Sequence, residues 1–262
     1  MELPGRTVVI TGAGGGIGAA LARRFATEGL RGLVLADLDL PAVEAVAKET
    51  GGVAVQCDVG REEEVQSLVT RARQVAGPID LFCSNAGVPG PGGGPIEASD
   101  DEWQRAWQIN VMAHVWAARA LLPEMLERGE GYLMSTASAA GVLTQVSALV
   151  YSVTKHAAVA VAEWLAINYA DAGIKVSCLC PLGVRTAMLE EALGDPVGAA
   201  ALLSDEVLEP ADVAEAVLAG IRDERFLILP HPQVARYMAF KGSENERWLS
   251  GMKRMVSQAR ES

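Results

Sequence analysis

Apolar runs of strand length alternate with longer segments of helical period along most of the chain. The runs lie at residues 7–10, 32–36, 53–57, 79–84, 131–135, 175–180 and 226–229. The helical segments between them cover residues 17–27, 41–50, 62–75, 101–127, 150–171 and 211–222. Near-continuous apolar strands that alternate with helices predict a parallel sheet covered by helices on both faces.

Right-handed crossovers would wind these strands into a doubly wound α/β sheet, a Rossmann fold with three αβα layers. The 262 residues contain no internal repeat and no linker long enough to divide the chain. We therefore expect a single Rossmann-type catalytic domain over residues 1–262, with its ligand at the carboxyl ends of the strands. Two segments are expected to lie outside the sheet, a substrate lid at about 187–205 and a C-terminal extension at about 230–262.

The first apolar run leads into a glycine-rich turn that is followed by a helical segment. This order places a diphosphate at a helix N-terminus, where a Cβ would hold backbone N–H groups away from the phosphate oxygens. Asp37 ends the second strand about 20 residues later, where a carboxylate can accept the ribose hydroxyls of adenosine and repel a 2′-phosphate. Leu38 follows Asp37 and the glycine turn has no Arg or Lys, which favours NAD over NADP.

Polar and small residues also follow the third and fourth strands. Asp58 comes directly after the third strand, where its carboxylate suits either an adenine amine or the N-terminus of the next helix. A stretch of small residues follows the fourth strand and would let the backbone approach a ligand. The expected dinucleotide-binding residues are Gly12, Gly14, Gly15, Gly16, Ile17, Gly18, Asp37, Leu38, Asp58, Val59, Asn85, Ala86 and Gly87.

The strongest chemical signal is Tyr151 followed four residues later by Lys155, at the start of a long helical segment. That spacing puts both side chains on one helix face, one turn apart. A free phenol has a pKa of about 10 and is a poor base near neutral pH, but a neighbouring ammonium and a positive nicotinamide stabilise the phenolate. We expect Tyr151 to exchange a proton with an alcohol or carbonyl oxygen.

In combination, these motifs resemble the short-chain dehydrogenase/reductase family, NAD-dependent type, over residues 5 to about 230. The residues that carry the resemblance are Thr11, Gly12, Gly16, Gly18, Asn85, Ala86, Gly87, Asn110, Ser138, Tyr151 and Lys155. The resemblance implies that Ser138 holds the substrate oxygen and that Tyr151 is the acid/base. It implies that Lys155 binds the nicotinamide ribose and lowers the tyrosine pKa, and that Asn110 holds a water that passes protons to Lys155.

The family also grips the nicotinamide carboxamide with a P-G-x-V-x-T motif, which this chain resembles through Pro181, Val184 and Thr186. Leu182 stands where the family has glycine, and this departure predicts a narrower and more apolar cleft. The resemblance further implies that helices 101–127 and 150–171 pair into a homodimer or homotetramer. The apolar residues expected to serve that pairing include Trp116, Leu121, Leu122, Val159, Val161, Trp164 and Leu165.

The expected substrate site is mostly apolar. Segments 87–95, 142–146 and 182–193 should face it, and Arg185 is the lone cation there. The residues expected to contact substrate are Ser138, Val142, Gln145, Leu182 and Met188, with Leu143, Val146 and Leu189 beside them. Such a site suits an uncharged secondary alcohol or ketone that is cyclic or steroid- or terpenoid-like.

Composition narrows the partners. Lys and Arg total 22 against 33 Asp and Glu, and a net charge of −11 argues against a nucleic-acid partner and for a small-molecule substrate. The chain starts without an apolar signal segment, and its longest uncharged stretch, 131–154, carries many hydroxyl groups, so we expect a cytoplasmic protein without a membrane span. The four cysteines lie in or at the ends of apolar runs and are expected to be reduced, with no metal bound.

Two other functions stay open beside an NAD-dependent alcohol dehydrogenase. One is an NADP-dependent carbonyl or acyl-thioester reductase, which Asp37 opposes. The other is a non-catalytic dinucleotide-binding sensor, and the presence of Ser138, Tyr151 and Lys155 argues against it.

Overall fold

The computed structural model describes residues 1–203 and 205–261. Ser204, within the predicted lid, and Ser262, at the end of the predicted extension, lie outside the described residues. The described part contains a seven-stranded sheet in the order β3-β2-β1-β4-β5-β6-β7, and every neighbouring pair of strands is parallel. The strands are β1 (Thr7–Thr11), β2 (Gly32–Asp37), β3 (Val53–Gln56), β4 (Leu81–Ser84), β5 (Gly131–Thr136), β6 (Ile174–Leu179) and β7 (Leu227–Ile228).

Helices connect the strands and cover the sheet. They are α1 (Gly16–Ala26), α2 (Leu40–Thr50), α3 (Glu62–Ala76), α4 (Asp100–Trp107), α5 (Ala113–Arg128), α6 (Leu149–Tyr169), α7 (Ala187–Ala192), α8 (Pro196–Leu202), α9 (Pro210–Arg222), α10 (Gln233–Ser243) and α11 (Asn245–Glu261). A π-helical segment, Gln108–Met112, joins α4 to α5, and 3₁₀ turns lie at Ala139–Gly141 and Ala170–Ala172.

The sheet separates two hydrophobic cores. On β1, Val9 packs into the core beneath α3, α5 and α6, whereas Val8 and Ile10 pack into the core beneath α1, α2 and α9. Side chains alternate between the faces of a strand, so apolar residues at every position are needed to fill both cores. This is the doubly wound αβα sheet that the sequence predicts. The chain reverses its direction of winding between β1 and β4, where folds of this class bind ligands.

Observed element boundaries lie within two residues of the predicted ones for all seven strands. The largest difference in geometry is inside the predicted helix 101–127, where the π-helical segment replaces one stretch of regular helix. The two edge strands differ from the central ones, since β7 has only two residues and β3 is partly exposed. β3 leaves Val53 37% exposed, because an edge strand is covered less completely than a central one.

The C-terminal extension, over which no helix is expected from the sequence, is helical. Its second helix, α11, directs Trp248 and Ala259 inward, with Met252 and Met255 between them on the same face. Spacings of four, three and four residues are those of one helix face, so the signal for this helix was present in the sequence. The predicted lid likewise contains two short helices, α7 and α8.

Candidate active site

A cavity of about 980 Å³ lies at the carboxyl ends of the strands. Each of the first six strands sends its final residue, or the residues just after it, into the cavity wall. The glycine turn after β1 forms one end, and the segments after β5 and β6 form the other. The cavity therefore lies at the carboxyl ends of the strands, where the sequence predicts the ligand site.

The glycine turn packs too closely for side chains. Gly12 has φ +64°, and a Cβ there would lie 2.8 Å from Cα of Ala86; a Cβ on Gly18 would lie 2.0 Å from the carbonyl oxygen of Gly12. Gly12, Gly15, Gly16 and Ile17 line the cavity. Gly14 and Gly18 do not; Gly14 packs against Asp37, and Gly18 packs against the Gly12 carbonyl group. Among the described residues, no side chain caps the N-terminus of α1, which leaves first-turn N–H groups for an anion such as a diphosphate.

Asp37 is held in place at the edge of this turn. Its Oδ2 accepts the N–H of Gly14 at 2.9 Å and its Oδ1 accepts the N–H of Asp39 at 3.1 Å. Asp37 and Leu38 both line the cavity. The carboxylate therefore has a fixed orientation next to the turn, as an acceptor for ribose hydroxyls requires.

Asp58 and Val59 line the same end of the cavity. The Asp58 carboxylate accepts the N–H of Gly60 at 2.9 Å, and Arg61 rather than Asp58 occupies the N-cap position of α3. Of the two roles that the sequence left open for Asp58, the structure therefore lacks the helix cap. Asp39 does cap its helix, through a bond from Ala42 N–H.

The segment after β4 is anchored between β1 and β5. Thr11 Oγ1 accepts the N–H groups of Asn85 and Ala86, and Thr136 Oγ1 donates to the Asn85 side chain at 3.0 Å. Asn85, Ala86 and Gly87 all line the cavity. Three neighbouring strand ends are thus cross-linked by side-chain hydrogen bonds under the expected cofactor.

Ser138, Tyr151 and Lys155 lie together on the cavity wall beyond β5. Lys155 Nζ donates to the carbonyl oxygen of Thr136 at 3.0 Å and lies 5.6 Å from the centre of the Tyr151 ring. Gly141 lets the turn after Ser138 pack against α6, since a Cβ there would lie 2.5 Å from the Lys155 carbonyl oxygen. The Tyr151 hydroxyl also contacts Met188 Sδ of the predicted lid at 4.0 Å.

Burial governs the protonation of this group. Burial raises the pKa of the Tyr151 phenol above its ordinary value, and the neighbouring Ser138 hydroxyl offsets part of that rise. Burial also lowers the pKa of Lys155 to about 8. The sequence predicts a lowered tyrosine pKa from Lys155 together with a positive nicotinamide. The residues of this chain do not produce that lowering by themselves, because desolvation disfavours the phenolate.

Asn110 lies in the π-helical segment and is fully buried. Its side-chain amide accepts the N–H of Val88 at 2.9 Å and donates to the Val88 carbonyl oxygen at 2.9 Å and to Thr154 Oγ1 at 3.1 Å. Asn110 does not line the cavity, although both its Oδ1 and Lys155 Nζ lie next to Gly87. In this structure its side chain holds the loop after β4 in place.

Pro181, Leu182, Val184 and Thr186 line the cavity as predicted from the motif after β6. So do the expected substrate contacts Gln145 and Met188, with Leu143, Val146 and Leu189. Val142 does not: it packs against the extension, and its carbonyl oxygen accepts from Lys241 Nζ at 3.0 Å. Thr144, with φ +106°, lines the cavity in a conformation that costs a non-glycine residue energy and recurs at binding sites.

Residues outside the expected substrate segments also line the cavity. For the extension, the sequence leaves open whether Trp248, Met252 and Met255 cover the cleft or a neighbouring subunit, and Tyr237 and Arg105 are not predicted. Tyr237, Trp248, Met252 and Met255 of the extension line the cavity, and the Tyr237 hydroxyl donates to the Asp205 carboxylate. Arg185, expected in the substrate site, is exposed and pairs with Glu209, whereas Arg105 of α4 lines the cavity. The helical spacing of the extension is the sequence signal that could have identified its residues.

Within the described ranges, no helix is both long and apolar enough to cross a bilayer. Over the same residues, no group of three or more His, Cys, Asp or Glu is arranged to hold a metal ion. Cys57, Cys83, Cys178 and Cys180 are free and buried.

The sequence of this chain matches a known protein family and several of its members. The family profile described as short chain dehydrogenase matches residues 6–196. The chain is 37% identical over 235 residues to 1-deoxy-11-beta-hydroxypentalenate dehydrogenase of Streptomyces exfoliatus, covering 87% of this chain and 84% of that protein. It is 34% identical over 200 residues to 2,5-dichloro-2,5-cyclohexadiene-1,4-diol dehydrogenase of Sphingobium indicum, covering 75% and 80%.

A solved structure is also similar. The crystal structure of a short chain dehydrogenase/reductase from Burkholderia phymatum in complex with NAD matches with a TM-score of 0.85 at 32% identity, covering 94% of this chain and 96% of that one. Fold, site geometry and sequence similarity agree over most of the chain's length. The chain is therefore an oxidoreductase that belongs to the short-chain dehydrogenase/reductase family.

Proposed function

We propose that this protein transfers a hydride between NAD(H) and an apolar cyclic secondary alcohol or the corresponding ketone. One observation carries the proposal: Ser138, Tyr151 and Lys155 share one cavity with the glycine turn and Asp37. A proton-transfer group and a dinucleotide-binding surface are thus brought together around a space that can hold a cofactor and a substrate.

The cofactor end of the cavity fits NAD better than NADP. The Asp37 carboxylate is oriented by two backbone N–H groups and suits ribose hydroxyls, whereas a 2′-phosphate beside it would meet like charge. Leu38, which lines the cavity next to Asp37, supplies no positive charge to offset that repulsion. NAD would lie along Gly12, Gly15, Gly16 and Ile17, with Val184 and Thr186 near its nicotinamide.

The catalytic chemistry then divides among three side chains. NAD held by the glycine turn and Asp37 would supply the acceptor for the hydride of the alcohol carbon. The Ser138 hydroxyl holds the substrate oxygen, and Tyr151 removes the hydroxyl proton. Lys155, buried and fixed by the Thr136 carbonyl oxygen, places positive charge beside the ring and stabilises the phenolate. Asn110 keeps the loop after β4 beneath them.

Two features support a cyclic, largely apolar substrate. The exposed area of the cavity wall is mostly apolar and includes Leu143, Leu182, Met188 and Trp248. Its polar side chains include Arg105, Gln145 and Glu191. The names of the relatives from Streptomyces exfoliatus and Sphingobium indicum both specify hydroxylated ring compounds. Helices α7 and α8 fit the role of a lid, since Met188 touches Tyr151 and both helices contribute to the wall.

Assembly into a homodimer or homotetramer also belongs to the proposal. Val153, Trp164 and Ile167 are 40%, 56% and 72% exposed and lie on one face of α6. An apolar face of this kind favours burial against a second copy. The free cysteines favour the reducing environment of the cytoplasm.

The test is an oxidation assay on a panel of alcohols with NAD or NADP, followed by the absorbance of the reduced nicotinamide. We expect activity with NAD on apolar cyclic secondary alcohols and little on polyols or phosphorylated sugars. Higher kcat/KM with NADP would favour the reductase alternative. Tight NADH binding without turnover of any alcohol or ketone in the panel would favour the sensor alternative.

A further inference from the structure

His231 connects the C-terminal extension to the loop after β6. It lies between β7 and α10 and is 1% exposed. Its Nδ1 is 3.1 Å from the Leu182 N–H nitrogen, and its Nε2 is 3.1 Å from the Gly183 carbonyl oxygen. Since the first contact needs an acceptor and the second a donor, a neutral imidazole with its proton on Nε2 satisfies both.

The loop that His231 holds forms the nicotinamide side of the cavity wall. Leu182, Val184 and Thr186 line the cavity, and the Thr186 methyl group lies so close to the glycine turn that a Cβ on Gly16 would be 3.1 Å from it. The loop is also bonded to the turn that carries Ser138, because Ala139 N–H donates to the Pro181 carbonyl oxygen at 2.8 Å. A shift of the Leu182 and Gly183 peptides would therefore move both the cofactor wall and the serine turn.

We propose that His231 is a positioning residue that fixes this loop against the bound nicotinamide and links it to the C-terminal helices. The inference rests on the proposed function, because the loop has this role only if the cavity takes a nicotinamide dinucleotide. It gives the histidine a purpose that packing alone does not require, since an apolar side chain would fill the same buried space without bonding Leu182.

The extension reaches the other side of the site as well. Lys241 of α10 donates to the Val142 carbonyl oxygen, and Trp248 of α11 packs in one cluster with Ala139 and Leu143. His231 directly precedes these helices in the chain. The loop after β6, the serine turn and the extension are therefore one bonded unit, with His231 as its connection to the cofactor side.

The surroundings keep the imidazole neutral. Burial lowers the pKa of His231, and this effect is opposed by hydrogen bonds to the Gly183 and Glu206 backbones and then by the charges of Asp205 and Glu206, which raise the pKa. Protonation would place an N–H on Nδ1 opposite the Leu182 N–H and break that bond. The contact should therefore persist at neutral pH and be lost only as the pH falls below the ordinary histidine range.

The first test compares variants of the full-length protein. His231→Phe removes both bonds, and His231→Asn keeps an acceptor for Leu182. Arg247→Ala is the control, because Arg247 pairs with Glu244, lies over the Phe240 ring and is not part of the cavity wall. We expect the Phe variant to weaken NADH binding at least ~10-fold, the Asn variant to recover part of that loss and the control to match the unmutated protein.

Kinetics separate positioning from general stability. In His231→Phe the KM for NAD should rise more than the KM for the alcohol. Equal NADH affinity in all variants would overturn the inference, as would a parallel loss in His231→Phe and the Arg247→Ala control. If the unmutated protein neither binds NADH nor oxidises any alcohol, the proposed function fails instead.

The second test remains decisive if His231→Phe does not fold. The chain has three histidines, so nitrogen-15 NMR of the full chain can assign each imidazole form. His231 should be neutral with its proton on Nε2, whereas His156, whose Nδ1 lies 2.8 Å from the Ser152 carbonyl oxygen, should carry its proton on Nδ1. His114, whose pKa burial lowers to about 3, should be neutral. A charged His231, or one with its proton on Nδ1, at neutral pH would overturn the inference.

Discussion

At the scale of single residues, cofactor choice depends on the Asp37 carboxylate. Asp37→Asn removes the charge but keeps an oxygen that can accept the Gly14 N–H, so the turn should survive. We expect the variant to lose NAD affinity and to shift the NADP-to-NAD preference by at least ~10-fold, about 1.4 kcal/mol. The affinities of both dinucleotides measure this.

Asp39→Asn is the matched control for that substitution. It makes the same change of charge two residues away, at a side chain that caps α2 and lies off the cavity. The ratio of affinities should not change in the control. An equal shift in both variants, or no shift in Asp37→Asn, would contradict the assignment.

The buried charge of Lys155 should lower the free energy of unfolding of this protein. Burial lowers its pKa from 10.5 to about 8, so below that pH the folded chain carries the cost of a buried charge that the unfolded chain does not. Lys155→Met should therefore raise the free energy of unfolding at neutral pH by about 1–3 kcal/mol, after allowing for the lost bond to Thr136. It should also abolish turnover.

Urea unfolding at several pH values tests this. The difference between the Met variant and the unmutated protein should shrink as the pH rises from about 8 to 10.5, where the folded lysine loses its proton. Lys253→Met makes the same substitution on an exposed part of α11 and should show no such dependence. A Met variant that is less stable at neutral pH would contradict the account.

Residue types and spacings identified the reactive groups but not the side chains that hold the loops around them in place. Tyr151 and Lys155 are one helical turn apart in sequence, so local geometry alone puts them together. Asn110 meets Val88 and His231 meets Leu182 across long stretches of chain, and no local pattern specifies such contacts. Side-chain bonds of this kind depend on tertiary packing, which is why Val142 was also placed on the wrong side of its turn.

At the scale of elements, the π-helical segment between α4 and α5 holds Asn110 against the loop after β4. Asn110→Asp keeps the acceptor for the Val88 N–H but loses the donors to the Val88 carbonyl and Thr154. A buried carboxylate facing a carbonyl oxygen should lower the free energy of unfolding by about 2–4 kcal/mol and weaken NADH binding.

Asn168→Asp is the control for this change. Asn168 lies on α6 and donates to the Trp164 carbonyl oxygen in an exposed position, so the loss should stay within about 1 kcal/mol. Denaturant unfolding and NADH titration of both variants test the prediction. Similar losses of unfolding free energy and NADH affinity in both variants would contradict a specific role for the buried hydrogen bonds of Asn110.

Elements in the sheet were predictable because one requirement, apolar residues on both faces of a strand, is visible at every position. The helices of the extension were not predicted, because charged residues between Trp248, Met252 and Met255 obscured a helix face that only its spacing reveals. The π-helical segment carries no signal of its own in a helical pattern. The bond network around Asn110 accompanies it in the folded chain.

At the scale of the whole molecule, the structure corrects which residues are available for assembly. Leu121, Leu122 and Leu165, expected to face a partner, are buried within the chain. Trp164 remains exposed, with Val153 and Ile167 on the same face. The apolar excess of these helices therefore divides between the chain's own core and a narrower external face.

Light scattering tests assembly. The unmutated protein should have the mass of a dimer or tetramer of the 27.5 kDa chain at micromolar concentration. Trp164→Glu places a charge in the interface and should shift the mass toward that of the monomer. Leu203→Glu, on another exposed part of the chain, is the control and should not change the mass. A monomeric unmutated protein would contradict the prediction.

The central claim is that Tyr151 transfers the proton in a hydride-transfer site, and Tyr151→Phe tests it most directly. The variant keeps the ring beside Lys155 and removes only the hydroxyl, so NADH binding should stay within about twofold while turnover falls at least ~10²-fold. In the unmutated protein, alcohol oxidation should rise toward alkaline pH, because burial raises the pKa of the phenol that must lose its proton. Tyr169→Phe, at the far end of α6, should retain full activity. Turnover of Tyr151→Phe near the unmutated rate, with NADH still bound, would contradict the account.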